Sequence, residues 1–285
     1  MTQEVIMSQI MRRKHAFVRF WAFGILTLCL SIPGLLAEEE KLKAEDIVAR
    51  HLASIGTAEA RAAVKNRLVG GTVQLINRVG GSGELAGKIN IISEGRKIRF
   101  GMNFSPINTS SVQVAFDEKN VSVGQVQPGM RSKLSQFIYE NNVMVKEGLM
   151  GGTLSTAWPL LDLAARQAKL EYSGLEKVQG KKFHEVKYRA KKGGGDMEIY
   201  LYFDAENFRH VRTRYHLLKI GNEKTSFSLI EQFDNFGVFD ELTLPQTYKL
   251  EYSMDSGRFV ITWDVAISQL FQNEEVDSKY FEVQH

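Results

Sequence analysis

The segment 197–218 constrains the fold of this chain more than any other stretch of its sequence. Apolar side chains from Met197 to Phe203 occupy every second position of its first half, and its second half alternates in the same way from Val211 to Leu217. The four residues between the halves, Asp-Ala-Glu-Asn, are typical turn formers. Because successive side chains of a strand point to opposite faces, the segment predicts a β-hairpin whose apolar face must be covered by another part of the chain.

The same two-residue alternation recurs along most of the sequence and is interrupted by short turns rich in glycine, asparagine and aspartate. We expect further strands at residues 68–77, 85–93, 97–104, 111–116, 121–126, 170–173, 183–190, 226–236, 244–252 and 259–270. Strands that follow one another through short turns indicate an antiparallel meander rather than an alternation of strands and helices.

Residues 1–37 have the layout of a secretory signal peptide. Basic residues between Arg12 and Arg19 precede an apolar run at 21–30, which is shorter than the roughly 20 residues that a membrane span needs. We therefore expect export and removal of residues 1–37, which leaves 38–285 as a single domain. A retained membrane anchor is the alternative.

Removal of this leader changes both the cysteine content and the charge of the chain. Cys29, the only cysteine, lies within it, so the remaining chain has neither a disulfide nor a thiol nucleophile. The leader also holds four of the 36 basic residues and one of the 33 acidic residues, so the remaining chain carries no net charge. Because nucleic-acid binding needs a clustered basic excess, we expect no nucleic-acid partner.

A helical pattern occurs directly after the leader. Residues 44–56 place Ile47 and Ile55 on one apolar face of an amphipathic helix, which Gly56 can end. His51 lies one turn beyond Ile47, and we interpret it as a packed or hydrogen-bonded histidine rather than a metal ligand.

Residues 130–170, called the insertion below, interrupt the predicted strands. We interpret them as two helices joined by a flexible hinge at Gly151-Gly152. Methionine and tryptophan side chains beside a double glycine suit a mobile cover over an adaptable apolar pocket. The alternative is a pair of helices that closes the core of the sheet permanently.

The sequence contains no recognisable pattern of catalytic or metal-binding residues. A Gly-x-Ser-x-Gly motif is absent, and the histidines show neither the His-x-x-x-His nor the His-Glu-x-x-His spacing of zinc sites. We therefore expect no enzymatic activity, no catalytic residue, no cofactor and no metal. An unrecognised hydrolase is the alternative.

Four short motifs follow one another around the insertion. They are the helix 44–56, the turn into a strand Gly-Lys-Lys-Phe-His-Glu-Val at 180–186, Leu-Tyr-Phe-Asp at 201–204 and Leu-Thr-Leu-Pro at 242–245. In this order, after an export leader, they resemble the LolA/LolB-like superfamily of periplasmic carriers of outer-membrane lipoproteins. The resemblance covers most of residues 44–283.

This resemblance implies an α+β fold, in which a strongly curved antiparallel β-sheet forms an incomplete or half β-barrel and helices cover its concave face. It also implies a periplasmic, monomeric protein that holds the acyl chains of a lipid or lipoprotein in an apolar cavity and contacts membrane surfaces only transiently. The residues expected to line the cavity and its cover are Phe137, Val143, Met144, Leu149, Met150, Trp158, Leu160, Leu161, Ile199, Leu201, Phe203 and Trp263.

A second function fits the same resemblance, because some members of the superfamily sense envelope stress. In that case the sheet edge or the insertion would bind an envelope protein partner, and the domain would serve as an interaction or sensor module.

Overall fold

The computed structural model describes residues 42–77, 83–105, 110–220, 224–255 and 259–283, so the expected signal peptide at 1–37 lies outside the described residues. The helices are α1 (Ala44–Ile55), α2 (Ala58–Ala63), α3 (Lys133–Glu140), α4 (Val143–Lys146) and α5 (Leu163–Arg166), with short 3-10 turns at Gly152–Leu154, Pro159–Leu161 and Ser278–Phe281. Within these ranges, every helix is too short or too polar to cross a membrane.

Twelve antiparallel strands form one curved sheet that does not close into a barrel. The strands are β1 (Asn66–Asn77), β2 (Gly83–Glu94), β3 (Lys97–Phe104), β4 (Val112–Phe116), β5 (Val121–Val123), β6 (Lys169–Val178), β7 (Lys181–Arg189), β8 (Met197–Asp204), β9 (His210–Ile220), β10 (Lys224–Phe239), β11 (Leu242–Met254) and β12 (Phe259–Gln272). The predicted α+β fold with an unclosed antiparallel sheet is therefore confirmed.

The strand order follows the chain except at one pairing. It runs β5-β4-β3-β2-β1-β12-β11-β10-β9-β8-β7-β6, so the first and last strands of the sequence are neighbours in the middle of the sheet. Leu75 of β1 lies opposite Trp263 of β12. This order leaves β5 and β6 at the two edges, and the chain between them, which contains the insertion, must pass from one edge of the sheet to the other.

The insertion consists of shorter pieces than the sequence predicted. Instead of two helices, it contains α3, α4, α5 and two 3-10 turns. Gly151 and Gly152 have φ angles of 78° and 51°, which end helical geometry between α4 and α5, and Pro159 begins the second 3-10 turn. The prediction of helix was therefore right for the segment and wrong for the number and length of its helices.

The hairpin that dominates the sequence forms β8 and β9. Met197 and Phe203 lie on the buried face, and Asp204 ends β8, where its Oδ1 accepts hydrogen bonds from the backbone N–H groups of the next turn at 2.9 and 3.0 Å. The outer face departs from the expected solvated surface at Tyr202, which is only 2% exposed. The guanidinium groups of Arg212 and Arg214 cover its ring at 5.6 and 5.7 Å.

The helix α1 packs its predicted apolar face against the sheet. Ile47 and Ile55 are buried, and so is His51, which the same face includes. At its start, the Asp46 carboxylate accepts a hydrogen bond from the backbone N–H of Lys43 at 3.0 Å. The helix 44–56 predicted from the sequence is therefore present with nearly the expected bounds.

Candidate functional site

The space between the inner face of the sheet and the insertion is the candidate site. Eleven of the twelve residues that the sequence proposed as cavity lining belong to one continuous buried cluster there. From the insertion come Phe137, Val143, Met144, Leu149, Met150, Trp158 and Leu160, and from the sheet come Ile199, Leu201, Phe203 and Trp263. The twelfth, Leu161, points outward and is 42% exposed. In this closed arrangement the insertion itself fills the space against the sheet.

A buried histidine of α1 holds the tryptophan of the insertion. The indole Nε1 of Trp158 donates a hydrogen bond to Nε2 of His51 at 3.1 Å, and the other ring nitrogen of His51, Nδ1, lies 3.1 Å from the carbonyl oxygen of Phe208. The ring of His210 lies against the indole with a centroid separation of 4.4 Å. These contacts fix the position of Trp158 relative to α1 and to the β8–β9 turn.

Burial keeps both of these histidines neutral. Removal from water lowers the pKa of His51 to about 3, although the hydrogen bond to the Phe208 carbonyl partly opposes that shift. Burial also lowers the pKa of His210 far below its usual value, and the proximity of His51 adds to the effect. The interior can therefore accept a proton at these rings only at a large cost in stability.

A buried carboxylate forms a second attachment of the insertion to the sheet. Glu231 of β10 accepts hydrogen bonds from the backbone N–H of Gly151 at 2.8 Å, from the Tyr215 hydroxyl at 2.7 Å and from the Tyr248 hydroxyl at 2.5 Å. Burial raises the pKa of its carboxyl, while these three donors favour the charged form. Glu231 thus connects the glycine pair of the insertion to three strands of the sheet.

Two polar groups at the start of the sheet hold the segment between Gly152 and Trp158. Arg67 of β1 donates from Nη1 to the carbonyl oxygen of Thr153 at 2.6 Å. Ser93, which pairs with Arg67 across β1 and β2, accepts from the backbone N–H of Thr156 at 2.9 Å. The insertion is therefore attached through four consecutive contacts, at Gly151, Thr153, Thr156 and Trp158.

Hydrogen bonds of Arg166 also join different parts of the insertion to one another. The guanidinium of Arg166 pairs with the Asp162 carboxylate at 2.5 Å and donates to the carbonyl oxygens of Glu147 and Ala157 at 2.9 and 2.8 Å. These bonds close residues 147–166 into one unit, so displacement of Trp158 would move its neighbours with it.

An open cleft lies beside the insertion. It has a volume of about 310 Å³ and extends between α1, α2 and the two 3-10 turns. Its walls include Leu52, Trp158, Leu161 and Leu242, together with Arg67. Because Trp158 lines this cleft and also belongs to the buried cluster, its side chain separates the cleft from the interior.

A larger cavity of about 580 Å³ lies on the opposite face of the sheet. Its lining includes Gln74, Asp234, Lys249 and Asp264, and the last two form an ion pair at 3.3 Å. Apolar residues such as Val73, Ala86 and Val265 also line this cavity, but the ion pair interrupts them and makes the surface less suited to a long acyl chain. The candidate site therefore remains on the inner side, where the insertion lies.

Neither His51, Glu231 nor Arg67 belongs to the site residues predicted from the sequence. The two-residue period of β1 could have predicted the burial of Arg67, because Arg67 is separated by even numbers of residues from the inward-facing Val69 and Val73. His51 was assigned to the apolar face of its helix, but its partner Trp158 is far away in the sequence. Among the described residues, there is no group of three His, Cys, Asp or Glu side chains that could hold a metal ion.

Comparisons with known proteins give similarity only at the level of structure. No protein-family model matches the sequence, and no curated protein matches it. The chain is similar to a LolA superfamily protein from Nitrosomonas europaea, with 12% identity, a TM-score of 0.49 and coverage of 85% of this chain and 98% of that chain.

Two other solved structures show similarity of the same order. A DUF1329 family protein from Desulfovibrio piger is 12% identical with a TM-score of 0.42, covering 84% of this chain and 96% of that chain. A putative outer membrane lipoprotein-sorting protein domain from Vibrio parahaemolyticus is 11% identical with a TM-score of 0.43, covering 82% and 97% respectively. At 12% identity or less, these are similarities of fold alone.

Proposed function

We propose that this protein is a non-enzymatic, periplasmic carrier or binding protein that holds the acyl chains of a lipid or lipoprotein between its sheet and its insertion. The observation that carries the proposal is the path of the insertion from one edge of the sheet to the other across an apolar inner face. A segment in this position can be exchanged for an apolar ligand without disturbing the pairing of the strands.

The energies involved make such an exchange feasible. Release of the hydrogen bonds at Thr156 and Trp158 costs about 1 kcal/mol each, and release of the two bonds to charged groups, at Gly151 and Thr153, costs about 1.5–3 kcal/mol each. Burial of one methylene group returns about 0.8 kcal/mol, so roughly six to ten methylene groups offset the lost polar contacts. The acyl chain then takes over apolar sheet surface that the insertion leaves, such as the ring of Tyr252, on which Phe137 packs.

The internal construction of the insertion supports a mobile cover rather than a fixed plug. Its longest helix, α3, has eight residues, and no long helix has to be broken for the segment to move. Gly151 contacts Glu231, and Arg166 binds residues on both sides of the glycine pair, Glu147 and Ala157. Residues 147–166 would therefore move as one unit, and that motion would displace Trp158 and open the interior from the side of the cleft.

The test is the recovery of bound lipid. Protein purified from its own envelope should carry an acyl-chain ligand in native mass spectrometry and after solvent extraction, and delipidated protein should take up a fluorescent fatty acid. Repeated absence of lipid, combined with no uptake of the fatty acid, would contradict the proposal and favour the fixed plug.

A second candidate function rests on the strand β6, which lies at one edge of the sheet and carries Leu175 with 58% exposure. An edge strand can pair with an extended segment of another protein. Cross-linking that captures one stoichiometric envelope protein, with no change after delipidation, would support this interaction module over the carrier.

A further inference from the structure

The cleft beside the insertion combines apolar walls with positive charge. Leu52, Leu161 and Leu242 line it on the apolar side, and Arg61, Lys65 and Arg67 line it as well. Among the described residues, none of these three cations forms an ion pair with a carboxylate. A cleft of this composition complements a molecule with an apolar chain and an anionic end.

Arg67 is the central feature of the cleft. Its side chain is buried, it donates from Nη1 to the carbonyl oxygen of Thr153, and its Nε–H has no hydrogen-bond partner. Burial lowers the pKa of Arg67 to about 10, so the guanidinium stays charged at neutral pH. A buried cation whose only described partner is a neutral carbonyl oxygen is costly, and the cost falls when an anion binds beside it.

Further polar atoms around Arg67 also lack partners. The hydroxyl of Thr153, which lines the same cleft, is buried without a hydrogen bond. Gln272 lies opposite Arg67 on β12, and neither the nitrogen nor the oxygen of its side-chain amide has a partner. Unsatisfied buried polar groups are uncommon in folded proteins, and those of Arg67, Thr153 and Gln272 offer N–H and O–H donors to an anion.

The remaining two cations are placed to attract the same ligand. Lys65 is exposed at the rim of the cleft, and its positive charge has no described carboxylate partner. Arg61 of α2 donates from Nη1 to the carbonyl oxygens of Leu52 and Gly56, which fixes its guanidinium at the end of α1. The two charges extend the positive potential from Arg67 to the entrance.

We propose that this cleft binds the anionic headgroup of an amphiphile, a carboxylate or a phosphate attached to an alkyl chain, with the headgroup at Arg67 and the chain directed past Trp158 into the interior. This inference rests on the proposed function, because it names the class of ligand that the carrier takes. A neutral lipid would leave the guanidinium of Arg67 without its counter-ion.

The experiment compares dodecyl phosphate, dodecanol, dodecyltrimethylammonium and inorganic phosphate as probes, each added to the delipidated protein purified from its own envelope, with binding measured by calorimetry. We expect dodecyl phosphate to bind about tenfold tighter than dodecanol, since a charge-assisted hydrogen bond to Arg67 adds to the same apolar contacts. The cationic probe should bind more weakly than dodecanol, and inorganic phosphate should not bind measurably.

Two variants test whether the preference for dodecyl phosphate over dodecanol comes from the cations of the cleft. Arg67→Gln should reduce the ratio of the dodecyl phosphate affinity to the dodecanol affinity to about one, and this ratio is insensitive to a general loss of folded protein. Lys65→Glu, at an exposed position, should weaken dodecyl phosphate about fivefold, whereas the matched charge reversal Lys119→Glu on the β4–β5 turn should have no effect.

The outcomes separate this inference from the proposed function. Equal binding of dodecyl phosphate and dodecanol, or an unchanged ratio in Arg67→Gln, would overturn the anionic site and leave the acyl carrier intact. Binding of inorganic phosphate as tight as that of dodecyl phosphate would show a site for free anions and overturn the amphiphile. Failure of every alkyl probe to bind would overturn both.

Discussion

The indole N–H of Trp158 donates to Nε2 of His51 across a distance of 3.1 Å, and this bond fixes the tautomer of a fully buried imidazole. Since Nε2 accepts from an N–H donor, Nδ1 must carry the proton that it donates to the carbonyl oxygen of Phe208. Protonation of Nε2 would replace the acceptor with a second donor. The attachment of the insertion to α1 therefore depends on the neutral form of His51.

The first prediction concerns this hydrogen bond. Trp158→Phe should destabilise the protein by about 1 kcal/mol more than Trp263→Phe, because it leaves Nε2 of His51 without a donor. Trp263 is a matched control, since it is equally buried but its Nε1 has no partner. Urea unfolding followed by circular dichroism measures both free energies, and equal losses would show that the bond contributes nothing.

The second prediction concerns acid stability. The folded state holds the pKa of His51 at about 3, against 6.5 for an unperturbed histidine of the unfolded chain, so the unfolded state binds more protons between these pH values. The free energy of unfolding is therefore unaffected by His51 above pH 6.5 and decreases as the pH falls toward 3. At pH 5 the decrease is about 2 kcal/mol. The variant His51→Gln should lack this part of the pH dependence, which unfolding measurements from pH 7.5 to 5 would detect. The prediction would be contradicted if the free energy of unfolding depended on pH in the same way in the original protein and in His51→Gln.

The third prediction concerns Glu231. Glu231→Leu should destabilise the protein by roughly 3 kcal/mol or more, because it leaves the Gly151 N–H and the hydroxyls of Tyr215 and Tyr248 without their acceptor. The double variant Glu231→Leu/Tyr215→Phe should lose less than the sum of the two single variants, since one orphaned hydroxyl is removed. Strict additivity in a double-mutant cycle would argue against this network.

The fourth prediction separates packing from backbone strain at the glycine pair. A Cβ atom at Gly152 would lie 2.8 Å from the ring of Phe233 and 3.0 Å from Nδ1 of His210, whereas a Cβ atom at Gly129 would meet nothing within 4 Å. Both glycines have positive φ angles. Gly152→Ala should therefore cost about 1–3 kcal/mol more than Gly129→Ala in thermal or urea unfolding. Similar costs would mean that strain alone explains both.

The fifth prediction tests the cleft as the route of entry for acyl chains. Leu161→Asp should weaken uptake of a fluorescent fatty acid by about tenfold, because the alkyl chain would remove water from the new carboxylate and the anionic end of the fatty acid would be repelled by it. Leu175→Asp, at another exposed leucine on the edge strand β6, is the matched control and should bind normally. Neither variant removes a core contact, so a shared loss of uptake would point away from the cleft.

Local sequence patterns were sufficient to predict the strands and the helix α1. Met197, Ile199, Leu201 and Phe203 lie on the buried face as the alternation predicts, and the turn at Asp204 forms where its polar residues indicate it. The period of the side chains is a property of neighbouring residues, so it can be seen in the sequence without knowledge of the partner strand. Tyr202 was the exception, because the arginines that cover it come from the next strand.

The insertion shows where local patterns fail. Its apolar residues predicted burial correctly for Trp158 and Leu160, but Leu161 follows them directly and faces the cleft. In short 3-10 turns the side-chain direction changes at each residue, so hydrophobicity alone does not assign a face. The number of helices depended in the same way on the φ angles of Gly151 and Gly152.

The sequence by itself determined the class of the fold, the strands and the apolar character of the insertion, since each depends on residues close together in the chain. Only the tertiary structure decided that β1 pairs with β12, that the insertion therefore crosses from one edge of the sheet to the other, and that it meets His51, Glu231 and Arg67 there. These contacts join residues more than 80 positions apart in some cases, such as Arg67 with Thr153, 86 positions apart, and His51 with Trp158, 107 positions apart. Their energy comes from burial of polar groups beside specific partners, and burial is a property of the folded chain rather than of its local sequence.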